Sequence, residues 1–361
     1  MASGGAVDYN KAKEVKEFDE SKMGVKGIVD SGATTIPRFF IHPHENLKAL
    51  RPPPTTLSIP TIDLSHVNSH RRSNIVEQIR EAASTWGFFQ ITHHGIPTSV
   101  LDEVIVAIQS FNEQPANSRS QHYNRDTSTG VSFYTNTDLF RSKAASWGDS
   151  LQVILGPDPP VLDRIPEACR REVVMWDEHV RGVGEVLMEL LCEGLGLEND
   201  RLKELSCLEG RSLVAHYYPY CPEPDLTLGI GAHTDPALLT VLLQNQIAGL
   251  QVKHGEEWVE VEPLPGVLVI NVGDFLRIIS NDEYKSVENR VVANRLRDPR
   301  ISSVIFFNVG NRGDAYLYGP LQELLSDGKP AIYRNFTMSE YEKSFLMKEL
   351  SGMSLKNDFK L

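Results

Sequence analysis

The second half of the chain is a series of short apolar runs separated by turn-forming residues, and this pattern restricts the fold more than any other feature. The runs are rich in Val, Ile, Leu and Tyr, whereas Gly, Pro, Asn and Asp lie between them. They cover residues 213–218, 239–243, 250–253, 258–261, 267–272, 286–292 and 301–309. Short runs with frequent turn signals predict an antiparallel barrel or sandwich. The sequence His-Gly-Glu-Glu at 254–257 predicts a tight hairpin between two of the strands.

Apolar residues in the first half recur mainly at helical spacing. Helices are predicted over 72–85, 97–114 and 167–197, and strands over 59–64 and within 86–95. A further helix is predicted over 337–350. The chain is therefore expected to have an α+β fold, with a mostly helical N-terminal part, a β-barrel core and a C-terminal helix.

Four regions follow from this organisation, and they are expected to pack together as one unit. Residues 1–56 form an N-terminal segment that ends in the proline-rich connector 51–56, in which successive prolines exclude helix. Residues 57–205 form the helical region, 206–315 the barrel and 316–361 the C-terminal helical segment.

Charge and cysteine content limit the classes of partner. The 361 residues include 36 Lys and Arg against 48 Asp and Glu, which gives a net charge of −12. An acidic chain has no electrostatic reason to hold nucleic acid or an anionic membrane, so a small-molecule substrate is the expected partner. Four cysteines without a Cys-x-x-Cys pair predict reduced thiols. With no secretory signal visible, a cytoplasmic location is expected.

His233 and Asp235 are the first candidate site residues. They lie two positions apart, so on an extended strand both side chains point to the same face. A neutral imidazole and a carboxylate that converge suit a divalent iron site with open positions. Taken alone, the His-x-Asp pattern is more often an exposed turn than a metal site.

Arg300 and Ser302 show the same spacing. A guanidinium inside a barrel needs an anionic partner, and its planar fork binds a carboxylate through two hydrogen bonds. The alternative is an arginine at a strand end that faces water. Continued alternation places Phe306 on the same face, where it either contacts a flat substrate or belongs to the core.

His216 and Tyr218 lie in the first predicted barrel strand. The Tyr218 hydroxyl is a candidate to share a ligand carboxylate with Arg300, although it is also compatible with a core position. Tyr134, Phe140 and Phe306 are candidate contacts for an apolar substrate, but aromatic side chains more often belong to the core.

The order Tyr-Tyr-Pro (217–219), His-x-Asp (233–235) and Arg-x-Ser (300–302), behind a helical half that contains Gly-Phe-Phe-Gln-Ile-Thr-His-His-Gly (87–95), resembles the plant 2-oxoglutarate/Fe(II)-dependent dioxygenases. The resemblance extends over nearly the whole chain. Tyr-Asn-Arg-Asp at 123–126 and Tyr-Gly-Pro at 318–320 are similar to the subgroup of 1-aminocyclopropane-1-carboxylate oxidase homologues.

The resemblance implies a double-stranded β-helix, or jelly-roll, core and an oxygenase that uses Fe(II), 2-oxoglutarate, O2 and ascorbate. It implies that His233 and Asp235 are iron ligands. Arg300 and Ser302, helped by Tyr218 and with His216 nearby, would hold the co-substrate. The expected reaction is hydroxylation or desaturation of a small hydrophobic metabolite of plant specialised metabolism.

One position departs from the family pattern. The family places a second histidine ligand in a Ser-Val-x-His-Arg-Val segment, and this chain has Ser-Val-Glu-Asn-Arg-Val at 286–291, with Asn289 at the ligand position. Either the Asn289 amide or water completes a weak iron site, or the oxidative site is lost. In the second case the same pocket would serve a cyclase or isomerase, or would only bind a ligand.

Overall fold

The computed structural model describes residues 10–51, 56–310, 312–313, 315–348 and 356–361, so most of the proline-rich connector lies outside the described residues. The helices are α1 (Lys11–Ser21), α2 (Gly24–Asp30), α3 (Arg72–Thr85), α4 (Thr98–Asn112), α5 (Ala116–His122), α6 (Arg170–Gly194), α7 (Arg201–Glu204), α8 (Asp274–Ile279), α9 (Met338–Lys348) and α10 (Lys356–Phe359). The strands are β1 (Thr61–Asp63), β2 (Phe88–Thr92), β3 (Val131–Thr135), β4 (Asp149–Gly156), β5 (Gly210–Tyr218), β6 (Leu228–His233), β7 (Leu239–Gln244), β8 (Leu250–His254), β9 (Glu257–Glu260), β10 (Leu268–Val272), β11 (Asn289–Val292) and β12 (Arg300–Asn308). Single turns of 3-10 helix lie at Arg38–Phe40, His44–Leu47, Thr127–Thr129, Leu162–Arg164 and Gln322–Leu324.

Two sheets form the barrel. The larger has the order β1-β2-β10-β7-β12-β5-β4-β3, and the smaller has the order β6-β11-β8-β9. Every pairing is antiparallel except that of β1 with β2. From β5 to β12 the chain alternates between the sheets, apart from the hairpin β8–β9, which stays in the smaller one. The predicted double-stranded β-helix is thereby confirmed.

The strands of the first half differ from the sequence-based expectation. β3 and β4 were not predicted, and together with β1 and β2 they extend the larger sheet on both sides of its barrel strands. In β4, apolar residues such as Leu151 and Val153 alternate with polar ones, which is the signal of a half-buried strand. Because strands from before and after position 205 share one sheet, the helical region and the barrel are a single packed body.

Helices α3, α4 and α6 cover the outer face of the larger sheet and form the main core with it. Gly184 of α6 packs against β12, and a Cβ atom at this position would lie 2.5 Å from Cζ of Phe307. A side chain at position 184 would therefore push the helix away from β12. The opposite face of β12 is turned toward the smaller sheet, so the barrel interior is where ligand-binding side chains collect.

Segments at both ends of the chain are tied to the barrel. Arg290 of β11 donates hydrogen bonds to the carbonyl oxygens of Lys48 (3.0 Å) and Ala49 (2.6 Å). The hydroxyl of Tyr341 in α9 donates to the carbonyl of Pro236 at 2.6 Å. Among the residues that the structure describes, every helix is too short or too polar to cross a membrane.

Candidate metal and co-substrate site

His233 and Asp235 converge at the end of β6. The His233 Nε2 atom lies 3.4 Å from Oδ1 of Asp235. On the other side of the ring, Nδ1 lies 2.9 Å from the carbonyl oxygen of Gly231. Because a carbonyl only accepts hydrogen bonds, the neutral ring carries its proton on Nδ1. The lone pair of Nε2 then faces the same space as the carboxylate.

Asp235 is buried and held from behind. Its Oδ2 atom accepts hydrogen bonds of 2.7 Å from the hydroxyl of Thr240 and from the amide of Asn271. These two donors fix the carboxylate plane and leave Oδ1 directed toward His233. An oriented carboxylate beside an oriented imidazole is what a metal-binding pair requires, because outer partners set the direction of the ligands.

The pair is electrostatically coupled. Burial favours the neutral form of Asp235, but the hydrogen bond and charge of His233, with Asn271 and Thr240, outweigh burial and leave the pKa of Asp235 below its usual value. Burial likewise opposes protonation of His233, yet the hydrogen bond and charge of Asp235 outweigh it and raise the pKa of His233. The carboxylate is therefore anionic at neutral pH and stabilises positive charge beside it.

Asn289 lies directly opposite His233. The two residues are Cα partners in the β6–β11 ladder, so their side chains emerge on the same face. The amide Nδ2 donates to the carbonyl oxygen of His233 at 3.3 Å, and only 7% of Asn289 is exposed. An amide therefore occupies the space beside the His–Asp pair. Within the described residues, no three His, Cys, Asp or Glu side chains come together as a metal site.

The second half of the site surrounds Arg300. This residue is fully buried, and no acidic side chain in the described part of the chain pairs with it. Its Nη2 donates to Oε1 of Gln244 at 2.8 Å, whereas Nε and Nη1 are buried without a hydrogen-bond partner. The hydroxyl of Tyr218, the Cα partner of Arg300, is also buried and unpartnered. Buried donors without acceptors are unfavourable unless a ligand supplies the acceptor.

The protonation states of Tyr218 and Arg300 also favour an anionic ligand at this position. Burial raises the pKa of the Tyr218 hydroxyl to about 12, against the opposing effects of Arg300 and Ser302, so the group remains a donor at neutral pH. Burial lowers the pKa of Arg300. A cation with two free donor positions and a neighbouring hydroxyl fits one end of a dicarboxylate such as 2-oxoglutarate.

His216 lies between the two halves. Its Nδ1 is 2.9 Å from the hydroxyl oxygen of Ser150, and it is the Cα partner of Ser302. Burial lowers the pKa of His216 to about 3, and Arg300 and His233 add to the effect. His216 is therefore neutral, and the charges of Arg300, His233 and Asp235 all affect its pKa.

A large cavity reaches part of this arrangement, although Arg300 and Asn289 are not among its lining residues. Its volume is about 1850 Å³, and its lining includes His216, Tyr218, His233 and Asp235. Tyr134 and Phe306, two of the three candidate substrate contacts, also line it. Phe140 does not: it is 56% exposed and lines a smaller adjoining pocket beside Arg125 that shares Tyr134 with the large cavity. The loop after β3 turns its ring outward, which the sequence did not indicate.

Some residues of the site were missed from the sequence. Gln244, Thr240 and Asn271 contact the candidate ligands but come from β7 and β10, which were identified only as apolar strands. A polar residue inside an apolar run was the available signal. Asn271 within 267–272 shows it most clearly, because a buried amide needs partners.

The fold and this arrangement of His-x-Asp and Arg-x-Ser define a non-haem iron oxygenase, and the chain belongs to the 2OG-Fe(II) oxygenase superfamily. The model of that superfamily matches residues 210–309, and the model of the N-terminal region of non-haem dioxygenases, described for morphine synthesis, matches residues 59–177. The superfamily uses Fe(II) and 2-oxoglutarate. In this chain the unpartnered donors of Arg300 and Tyr218 fit the keto acid, and His233 and Asp235 fit the metal.

The most similar relatives extend over the whole length. The chain is 42% identical to 1-aminocyclopropane-1-carboxylate oxidase homolog 11 of Arabidopsis thaliana, over 99% of each chain. It is 44% identical to homolog 1 of the same plant, over 94% of each chain. Among solved structures, JOX2 in complex with 2OG, Fe and JA is 28% identical with a TM-score of 0.81, covering 94% of this chain and 97% of JOX2. The rice dioxygenase for auxin oxidation, at 22% identity, shares the fold with a TM-score of 0.71, covering 84% of this chain and all of that one.

Proposed function

We propose that this protein is a 2-oxoglutarate-dependent oxygenase of plant specialised metabolism that hydroxylates or desaturates a small hydrophobic metabolite. The observation that carries the proposal is the buried Arg300, which has no acidic partner among the described residues and two unpartnered donor atoms. A structure that only lost its function has no reason to keep such a cation, because a buried unpaired charge is strongly destabilising.

The residues divide into two tasks. Arg300, Ser302 and Tyr218 hold the far carboxylate of 2-oxoglutarate, and the neutral His216 lies between that end and the metal. His233 and Asp235 would hold the metal, and the Asn289 amide would offer a neutral oxygen donor beside them. When bound, Fe(II) and the keto acid supply the oxidising power from O2, and succinate and CO2 are released. Ascorbate is expected to keep the iron reduced.

The substrate lies in the cavity between the barrel and the segments from both ends of the chain. Phe306 and Tyr134 supply aromatic surface, which favours an apolar or flat molecule. JOX2 was solved with JA, and the rice and Arabidopsis relatives in fold oxidise auxin. JA and auxin are therefore rational first probes, followed by a panel of plant alkaloids, terpenoids and phenolics.

Succinate release tests the proposal. Purified protein is incubated in air with Fe(II), ascorbate, 2-oxoglutarate and the substrate panel, and succinate is measured beside an Asp235→Ala variant and a His254→Ala control. His254 lies in β8, stacks on Trp86 and is not among the residues that line the cavity. Succinate is expected from the wild type and from the control but not from Asp235→Ala. The oxygenase proposal is refuted if no succinate forms at every iron concentration tested, or if product forms under nitrogen in the presence of a chelator.

A further inference from the structure

A row of polar side chains crosses the inner face of the larger sheet beside Arg300. Gln244 of β7 is the Cα partner of Ser302, and Ser302 is in turn the partner of His216. Directly opposed residues of antiparallel strands point to the same face, and Arg300 shares that face with Ser302 by alternation. Gln244 therefore lies on the inner face of the sheet together with Arg300, although the two residues are 56 positions apart along the chain.

Gln244 accepts a hydrogen bond from the Arg300 guanidinium. The bond joins Nη2 and Oε1 at 2.8 Å, and only 6% of Gln244 is exposed. A neutral acceptor orients the planar guanidinium without cancelling its charge. A glutamate of nearly the same shape would pair with Arg300 and remove the attraction for an anionic ligand.

The other half of the amide also points to a ligand. The Nε2 atom of Gln244 is buried and has no hydrogen-bond partner, as are Nη1 of Arg300 and the hydroxyl of Tyr218. A carboxylate offers about four acceptor sites on its two oxygens. One carboxylate can therefore accept hydrogen bonds from all three donors, which lie on three different strands. Without such a ligand, each of these donors has no hydrogen-bond acceptor.

We infer that Gln244 is part of the co-substrate anchor: it positions Arg300 through its carbonyl oxygen and donates its NH2 group to the far carboxylate of the keto acid. This inference rests on the proposed function, since it assigns a residue of the same site. The selectivity for a dicarboxylate over a monocarboxylate then depends on Gln244 as well as on the Arg-x-Ser pair.

The test compares two keto acids of equal chain length. The dissociation constants of 2-oxoglutarate and of 2-oxopentanoate, which lacks the far carboxylate, are measured by calorimetry on the Fe(II)-loaded protein under nitrogen. Hydrogen bonds to charged groups contribute enough that the wild type is expected to prefer 2-oxoglutarate by about 100-fold or more. This ratio isolates the far carboxylate from metal binding, which both acids share.

Three variants separate anchoring from packing. Gln244→Glu is expected to reduce the preference to below about tenfold, because its carboxylate competes for Arg300, whereas Gln244→Met loses about tenfold by removing the hydrogen bonds alone. Gln251→Glu is the matched control. Gln251 is as buried as Gln244 and accepts from Nε of Arg290 at 2.8 Å, outside the anchor, so its ratio stays at the wild-type value. Thermal unfolding confirms that each variant is folded.

The outcomes are distinguishable. A wild-type preference that survives in Gln244→Glu overturns the role of Gln244 and leaves the oxygenase proposal intact. If Gln244→Met loses more of the preference for 2-oxoglutarate than Gln244→Glu does, Gln244 has a packing role. If Gln251→Glu loses as much of this preference as Gln244→Glu, the effect comes from buried charge in general. Either result overturns the inference. A wild type that shows no preference overturns the proposed function together with the inference.

Discussion

Replacing Asn289 with histidine is the most informative perturbation of this protein. Because position 289 is the Cα partner of His233, an imidazole there emerges on the same face, beside the His–Asp pair. The substitution removes the Nδ2 hydrogen bond to the carbonyl of His233 and brings a nitrogen lone pair in its place. The neighbouring residues Glu288 and Arg290 line the large cavity, so position 289 lies close to it.

The magnitude follows from two opposing effects. The lost amide hydrogen bond, already long at 3.3 Å, contributes about 0.5–1.5 kcal/mol to stability. Changes to residues that only support metal ligands alter metal affinity by about 10–100-fold, and a direct ligand should alter it at least as much. We therefore expect Asn289→His to bind Fe(II) about 100-fold more tightly, or roughly 2.8 kcal/mol, at a small loss of folding stability.

Metal affinity is measured by anaerobic titration with Fe(II), and with Co(II) followed by its visible absorption. Asn289→Ala is the matched control, because it removes the amide without adding a ligand. Succinate release at limiting iron is expected to rise in Asn289→His and to fall in Asn289→Ala. If the histidine and alanine variants bind metal equally, position 289 does not face the metal and the assignment of the third ligand is wrong.

Three other predictions follow from the geometry. Arg300→Lys keeps the charge but loses the planar fork, and we expect the KM for 2-oxoglutarate to rise about 10–100-fold with folding unchanged. Gly148→Ala places a Cβ atom 2.9 Å from Cδ1 of Tyr218, so the ring must shift; an unfolding titration should show a loss of about 1–3 kcal/mol together with weaker keto-acid binding. Partial burial opposes ionisation of Asp282, but its hydrogen bonds with Arg277 and Tyr333 outweigh burial and lower the pKa of this carboxyl group. The ionised Asp282 therefore stabilises the fold above the unfolded-state pKa of 3.8, and this stabilisation is lost as the pH falls below that value. The stability difference between wild type and Asp282→Asn, about 1.5–3 kcal/mol at pH 7, should therefore shrink on acidification, and a constant difference would contradict this account.

Local periodicity was sufficient to predict the helices that form the core. The predicted helix over 72–85 has the bounds of α3, because its apolar residues repeat at helical spacing and end at the turn before Gly87. The hairpin at 254–257 is also confirmed, since β8 and β9 pair His254 with Glu257. These features depend on neighbours in sequence, which a single chain displays directly.

Features that depend on residues distant in sequence were harder to predict from the sequence. β6 was not predicted among the apolar runs, because Gly229 and Gly231 interrupt its apolar residues. Glycine at position 229 avoids crowding the Tyr218 ring, which would lie 3.0 Å from a Cβ atom there. The partnership of Gln244 with Arg300 arises from strand order in the sheet, which no local pattern encodes. Phe140 does not line the large cavity, because it lies in a loop whose direction the sequence does not indicate.

The cavity walls have a consequence for how functions diverge among such proteins. His42 and Lys48 from the N-terminal segment, and Met338 and Phe345 from α9, line the cavity but lie outside the stretches that the two family models match. Part of the cavity wall is thus encoded outside the stretches that carry the candidate metal and keto-acid residues. Exchanging the two terminal segments between homologues should redirect substrate choice while leaving the oxidising centre unaltered.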